Sequence, residues 1–144
     1  MNQQTEYILS EGRLTLPEAV QDQSVTILKL PHAGASLVIT RAWDVPAGQE
    51  EQYLRQQLVK VKRDMRKFIA QDPLDAQLGE LPAREVDFRF ENQSVQIYQK
   101  LLVTRLDGHL LAMALSRCAP FDEAALALWQ SIKTGFAAHP PKDA

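Results

Sequence analysis

Hydrophobic and polar positions divide the chain into two strand-rich stretches on either side of one helical stretch. Tyr7 to Leu9 and Arg13 to Leu16 flank Ser10-Glu11-Gly12, a pattern that predicts a small hairpin. Pro17 closes its second arm, because proline has no amide hydrogen to give to a ladder. Gln23 to Leu30 (QSVTILKL) and Ala35 to Trp43 (ASLVITRAW) are rich in β-branched residues and separated by Pro31 and Gly34, so two further strands are predicted.

At Asp44-Val45-Pro46 the period changes. An early proline followed by Glu50 and Glu51 is a helix-entry signal. Leu54, Leu58, Val61, Met65 and Phe68 then recur at helical spacing, which predicts a long helix running to about Gln71, before Pro73. Leu74 to Leu81 reads as a connection with a short strand. Ala83 to Glu91 alternates Val86, Phe88 and Phe90 with Glu85, Asp87, Arg89 and Glu91, a strand with one wet face. Asn92-Gln93 turns the chain into Ser94 to Arg105, and Asp107-Gly108, a strong hairpin signal, leads into His109 to Arg117. A last helix is predicted from Pro120 and Asp122 to about Phe136, with Ala125, Trp129, Ile132 and Phe136 on its apolar face. The tail His139 to Ala144 is predicted to be disordered. The expected fold is α+β: a mainly antiparallel sheet, one long central helix and a C-terminal helix, in a single domain spanning 1–144 with an ordered core of about 5–137.

Several of these strands are apolar on both faces. Val25 and Ile27 point one way, Leu28 and Leu30 the other. Val95, Ile97, Leu101 and Val103 oppose Tyr98 and Leu102; Leu111, Met113 and Leu115 oppose Leu110, Ala112 and Ala114. Such a sheet must be covered on both sides. Two helices cover one face and part of the other. The remainder is either closed by the chain itself or left for a second subunit or an apolar peptide. Glutamine stands among these positions: Gln99 shares the Val95–Ile97–Leu101 face, and Gln57 lies beside Leu58. A buried Gln needs partners and has two donors and an acceptor to offer a bound chain, whereas an edge Gln simply meets water.

Composition narrows the function classes. The 144 residues are 45% hydrophobic and 24% charged, and 16 Lys and Arg against 18 Asp and Glu give a net charge of −2. That balance argues against a strongly basic nucleic-acid binder, and the run Lys60 to Lys67 reads as a solvated helix face. One cysteine excludes an internal disulfide framework, and Cys118 is expected to be a small buried residue. Met1 to Ser10 has no basic signal-peptide start, and no apolar run is long enough to cross a membrane. A cytoplasmic protein without stable membrane insertion is therefore expected. Asn92-Gln93-Ser94 fits a glycosylation sequon but reads as a turn in that setting. His32, His109 and His139 are far apart and lack metal-ligand spacing. No nucleophile elbow or phosphate-cradling glycine loop occurs. Glu85, Asp87 and Glu91 read as the solvent side of their strand. Neither an enzyme nor a cofactor is expected.

The segment Leu16 to Pro31, LPEAVQDQSVTILKLP, resembles the opening of the Eag chaperones, DcrB-like proteins of bacterial type VI secretion. Leu37-Val38-Ile39-Thr40-Arg41, Tyr53 with Gln57-Leu58, the Gln99 strand and the Trp129 helix extend the resemblance over about Tyr7 to Phe136; Gln71 to Pro82 fits poorly. The resemblance implies a Mog1/PsbP-like fold, a homodimer and a non-enzymatic cytoplasmic role. Its members hold the N-terminal transmembrane helices of Rhs-type or PAAR-containing effectors and help load them on the VgrG spike. Its apolar groove falls here on Val25, Ile27, Met65, Val95 and Ile97, with either Leu111 or Ala112, and its polar contacts on Gln57 and Gln99. The alternative is a general DcrB-like or Mog1-like module that binds a folded protein through surface charge such as Lys60 to Lys67. Such binding would weaken with salt.

Overall fold

The computed structural model describes residues 4–139, so the predicted disordered tail lies, except for His139, outside the described residues. In chain order the elements are β1 (Thr5–Leu9), β2 (Gly12–Leu16), β3 (Val25–Leu30), β4 (Ala35–Ala42), α1 (Glu50–Asp64), β5 (Arg66–Ala70), β6 (Leu74–Leu78), β7 (Leu81–Asn92), β8 (Val95–Leu106), β9 (His109–Arg117) and α2 (Glu123–Thr134). All described strand pairs are antiparallel, and the fold is α+β. β1 and β2 form a separate two-stranded ribbon. The main sheet runs β3-β4-β9-β8-β7-β5, with β6 also paired to β7.

The meander β7–β8–β9 is the spine. Both of its turns are two-residue connections with positive φ at both central residues: Gln93 (51°) and Ser94 (68°), then Asp107 (53°) and Gly108 (83°). This is the conformation that matches the twist of paired strands. The first turn sits one residue later than the Asn92-Gln93 of the sequence reading, and it forms without glycine.

Two hydrophobic clusters occupy the two sheet faces. Beneath α1, Leu54 meets Val86, Phe88, Phe90, Leu101, Val103, Leu110, Ala112 and Ala114, with Leu58, Val61, Met65 and Phe68 packed around them. Beneath α2, Trp129 meets Leu37, Leu78, Ala83, Leu102, Leu111, Met113 and Leu115. The expected double-sided burial of the strands is therefore largely internal.

The helix predicted to run from Asp44 to Gln71 is shorter at both ends. Asp44 to Gly48 forms a turn, in which Gln49 N–H donates to Pro46 C=O. The Arg105 guanidinium holds that turn by donating to the carbonyls of Val45 and Pro46 and to Glu50 Oε2. Polar capture of these carbonyls stands where helix hydrogen bonds would have been. At the other end Met65 turns extended, and Arg66 to Ala70 pairs with β7 through a bulge in which Lys67 takes φ 55°. Phe68 thus reaches the same cluster as Leu54, but from a strand.

Two further expectations are corrected. The wet face of β7 is wet only in part. Glu85 is drawn under α2, where Lys133 Nζ donates to Oε1 at 2.6 Å and Trp129 Nε1 to Oε2 at 3.1 Å. A carboxylate with a paired ammonium and an indole N–H can be enclosed, because its charge and lone pairs are satisfied. Cys118 is exposed rather than buried, since β9 ends at Arg117 and the chain leaves the sheet there. At the start of α2, Asp122 accepts the Ala125 N–H, an N-cap bond.

Candidate binding groove

The register determines which predicted groove residues share a face. Val25 and Ile27 stand opposite Thr40 and Val38, these opposite Ala112 and Ala114, and these opposite Val103 and Leu101. Residues directly opposite in an antiparallel ladder lie on the same face. Val95, Ile97 and Gln99 precede Leu101 at alternate positions of β8 and lie there as well. Val25, Ile27, Val95, Ile97 and Gln99 therefore occupy one face, the one that α1 packs on. Ala112, not Leu111, belongs to it; Leu111 packs under Trp129.

α1 covers only part of this face: it packs mainly over β8, β5 and β7, and the cluster beneath it reaches β9 and the end of β4. The β3 side is left open. Val25 is 55% exposed, Ile27 65% and Val95 46%. Ile97 is half-buried and packs at the margin of the α1 cluster. Met65, the residue that ends α1, packs at the same margin. Gln57 shares with Tyr53 and Lys60 a flank of α1 beside the Asp44–Pro46 turn, where a cavity of about 250 Å³ opens. Burial and the nearby Asp44 carboxylate push the Tyr53 phenol above its ordinary pKa, so it stays protonated and able to donate at neutral pH.

The register also exposes groove residues that the sequence reading did not pick out. Lys29, Ser36, Ser116 and Gln99 stand opposite one another in turn, a polar row across four strands. The next row on the same face is apolar: Ile27, Val38, Ala114 and Leu101. A second cavity, of about 380 Å³, opens beside Ile97 and is lined by Leu30, Pro31, Ala35, Ser36 and Ser116 among others. The small side chains of Ala112, Ala114 and Ser116 keep the floor low between β4 and β8. Ser116 was reachable by counting from the Asp107-Gly108 turn, which pairs Leu106 with His109 and so Gln99 with Ser116.

This arrangement suits adhesion to an apolar surface that carries a few hydrogen-bonding groups. Hydroxyls and an amide lie beside open aliphatic side chains, and α2 packs on the opposite sheet face. Among the described residues no three His, Cys, Asp or Glu side chains come together in a metal-binding group. None of the described helices is long and apolar enough to cross a membrane.

Comparison with known proteins places this architecture. Among solved structures, the protein PA94 of Pseudomonas aeruginosa, described as of unknown function, superposes with a TM-score of 0.71 at 23% identity. The match covers 96% of this chain and 99% of that one. LpqN of Mycobacterium tuberculosis, described as involved in cell envelope biogenesis, gives a TM-score of 0.47 at 12% identity, covering 92% of this chain and 82% of that one. Among curated proteins none matches the chain. The family model of DcrB matches residues 11–135, which take in β2, the whole main sheet and both helices, and the chain belongs to the DcrB family.

Proposed function

We propose that the protein is a cytoplasmic chaperone for the N-terminal transmembrane helices of a type VI secretion effector of the Rhs or PAAR kind. It shields those helices from water as a homodimer on a Mog1/PsbP-like scaffold, and helps load the effector on its VgrG spike. The observation that carries this reading is the open half of the α1 face, where Val25 and Ile27 are more than half exposed on an edge strand. Contiguous exposed aliphatic residues of this kind mark interaction surfaces. Covering them with an apolar helix returns roughly 25 cal/mol per Å². The row Lys29, Ser36, Ser116 and Gln99 supplies hydrogen-bond partners of the sort that join helices inside a bilayer. The resemblance of the Leu16–Pro31 segment to the Eag chaperones supplies the identity of the guest.

Co-expression tests the proposal. An effector fragment carrying its N-terminal apolar helices is expected to be insoluble alone, and soluble and co-purifying when produced with this protein. Equal solubility of the fragment in the protein's absence refutes it.

A further inference from the structure

A cavity beside β5 has its own chemistry and touches the groove only through Gln99. It has a volume of about 290 Å³. Ile69 and Gln71 line it from the β5 side, Asp87 and Arg89 from β7, Tyr98 and Lys100 from β8, and Phe121 from the segment before α2. These strands place the residues together by register: Asp87 stands opposite Lys100, Arg89 opposite Tyr98, and Ile69 opposite Arg89.

Its charges are unbalanced. Lys100 is only 7% exposed, yet its ammonium has one partner, Asp87 Oδ2 at 2.7 Å. Phe121 presents its ring to the same nitrogen, with the centroid 5.0 Å away. An ammonium carries three donors. Two of the Lys100 N–H groups therefore lack an acceptor among the described residues. Arg89 is exposed at the cavity and forms no ion pair or side-chain hydrogen bond with the described residues. One carboxylate thus faces two cations, leaving a net positive charge and several unused donors. Ile69, Phe121 and the Tyr98 ring give the same space apolar walls.

We propose that this cavity is a binding site for a carboxylate carried on a small apolar body. The ligand oxygens would take the free Lys100 donors and the fork of Arg89, a bidentate geometry that guanidinium favours with carboxylates. The apolar body would lie between Ile69 and Phe121. A single surplus positive charge suits a monoanion. The carboxylate could come from a free organic acid or from an acidic residue flanked by apolar side chains in a peptide.

Titration of the full chain by amide-resolved NMR tests this with two probes, benzoate and a blocked Phe-Glu-Phe tripeptide, and with benzamide as the neutral control. Saturable shifts confined to residues 69–71, 87–89, 98–100 and 121 are expected for at least one carboxylate probe and not for benzamide. Arg89→Met leaves the buried groups alone and is expected to weaken binding by about tenfold or more, the loss of a charge-assisted hydrogen bond. Saturation by benzoate alone assigns a small acid, and saturation by the tripeptide alone assigns a peptide; either supports carboxylate recognition. Shifts by neither probe overturn the proposal. So does benzamide binding as well as benzoate, or Arg89→Met binding like the parent.

Discussion

Ile27→Asp separates a groove residue from a core residue. Ile27 is 65% exposed, so about a third of its side chain is buried in the free protein. Full burial of an isoleucine contributes roughly 1.5–3 kcal/mol, so folding draws about 0.5–1 kcal/mol from this side chain and a covering guest draws the other 1–2 kcal/mol. Strand preference adds a penalty of at most about 1 kcal/mol. The variant is expected to lose about 1–2 kcal/mol of stability, a shift of a few degrees in Tm. Binding should suffer more. It loses the covered aliphatic surface, and the introduced carboxylate must be desolvated against an apolar guest at a further cost of some kcal/mol. A loss of roughly 100-fold or more in affinity follows. Thermal unfolding by circular dichroism and capture of an effector helix fragment read the two quantities on one sample. A variant that fails to fold would show that Ile27 belongs to the core. A variant that folds and still captures the fragment would remove the β3 side from the groove.

Three other outcomes are expected. Lys133→Met leaves the enclosed Glu85 with only the Trp129 N–H, and breaking a buried pair in this way costs about 3–5 kcal/mol in urea unfolding; a change under 1 kcal/mol would mean the pair is solvated. Gly79→Ala should lower Tm sharply, because Gly79 has φ 59° and an added Cβ would collide with the Phe136 carbonyl oxygen; an unchanged Tm would show that the β6–β7 turn is free to move away from the end of α2. The backbone N–H of Ala125, followed by opposition from burial and then help from Arg117, holds the Asp122 carboxyl below its ordinary value of 3.8. A depressed carboxylate stabilises fully above its unfolded pKa and loses that contribution as pH falls through the folded one, so the stability gap between the parent and Asp122→Asn should be constant near neutrality and close below about pH 3.8; a gap that widens on acidification would contradict the sign.

The sequence made the strands other than β5 legible because they are marked by local chemistry. Asp107-Gly108 announces its hairpin, and the β-branched runs at 25–30 and 35–42 contain their own evidence. The ends of α1 were not legible, because they are set by partners distant in the chain. Arg105 claims the carbonyls of Val45 and Pro46, and β7 claims Arg66 to Ala70, although Phe68 keeps helical spacing with Met65. Glu85 misled in the same way. Its alternation with Val86 is that of a solvent-facing residue, and only the arrival of Lys133 and Trp129 encloses it. Of the predicted groove residues, Val25 shares a face with Ile27, and Val95 with Ile97 and Gln99, because alternation fixes parity within a strand; that the two sets share one face is a matter of register. The choice between Leu111 and Ala112 likewise required the register between strands.

The two halves of the main sheet differ in when they can form. β7, β8 and β9 are joined by tight turns, so their pairing closes short loops. β4 must find β9 across the whole intervening chain, with Ala35 meeting Arg117, and β3 pairs within this sheet only with β4. Long closures are met late in folding, after the local contacts have formed. The β3–β4 hairpin closes its own short loop, but its docking on β9 is a long closure, so the strip at Val25 and Ile27 is expected to join the sheet late and to exchange its amide hydrogens early. A guest seated there is then expected to slow unfolding more than it speeds folding, as interactions formed after the transition state do.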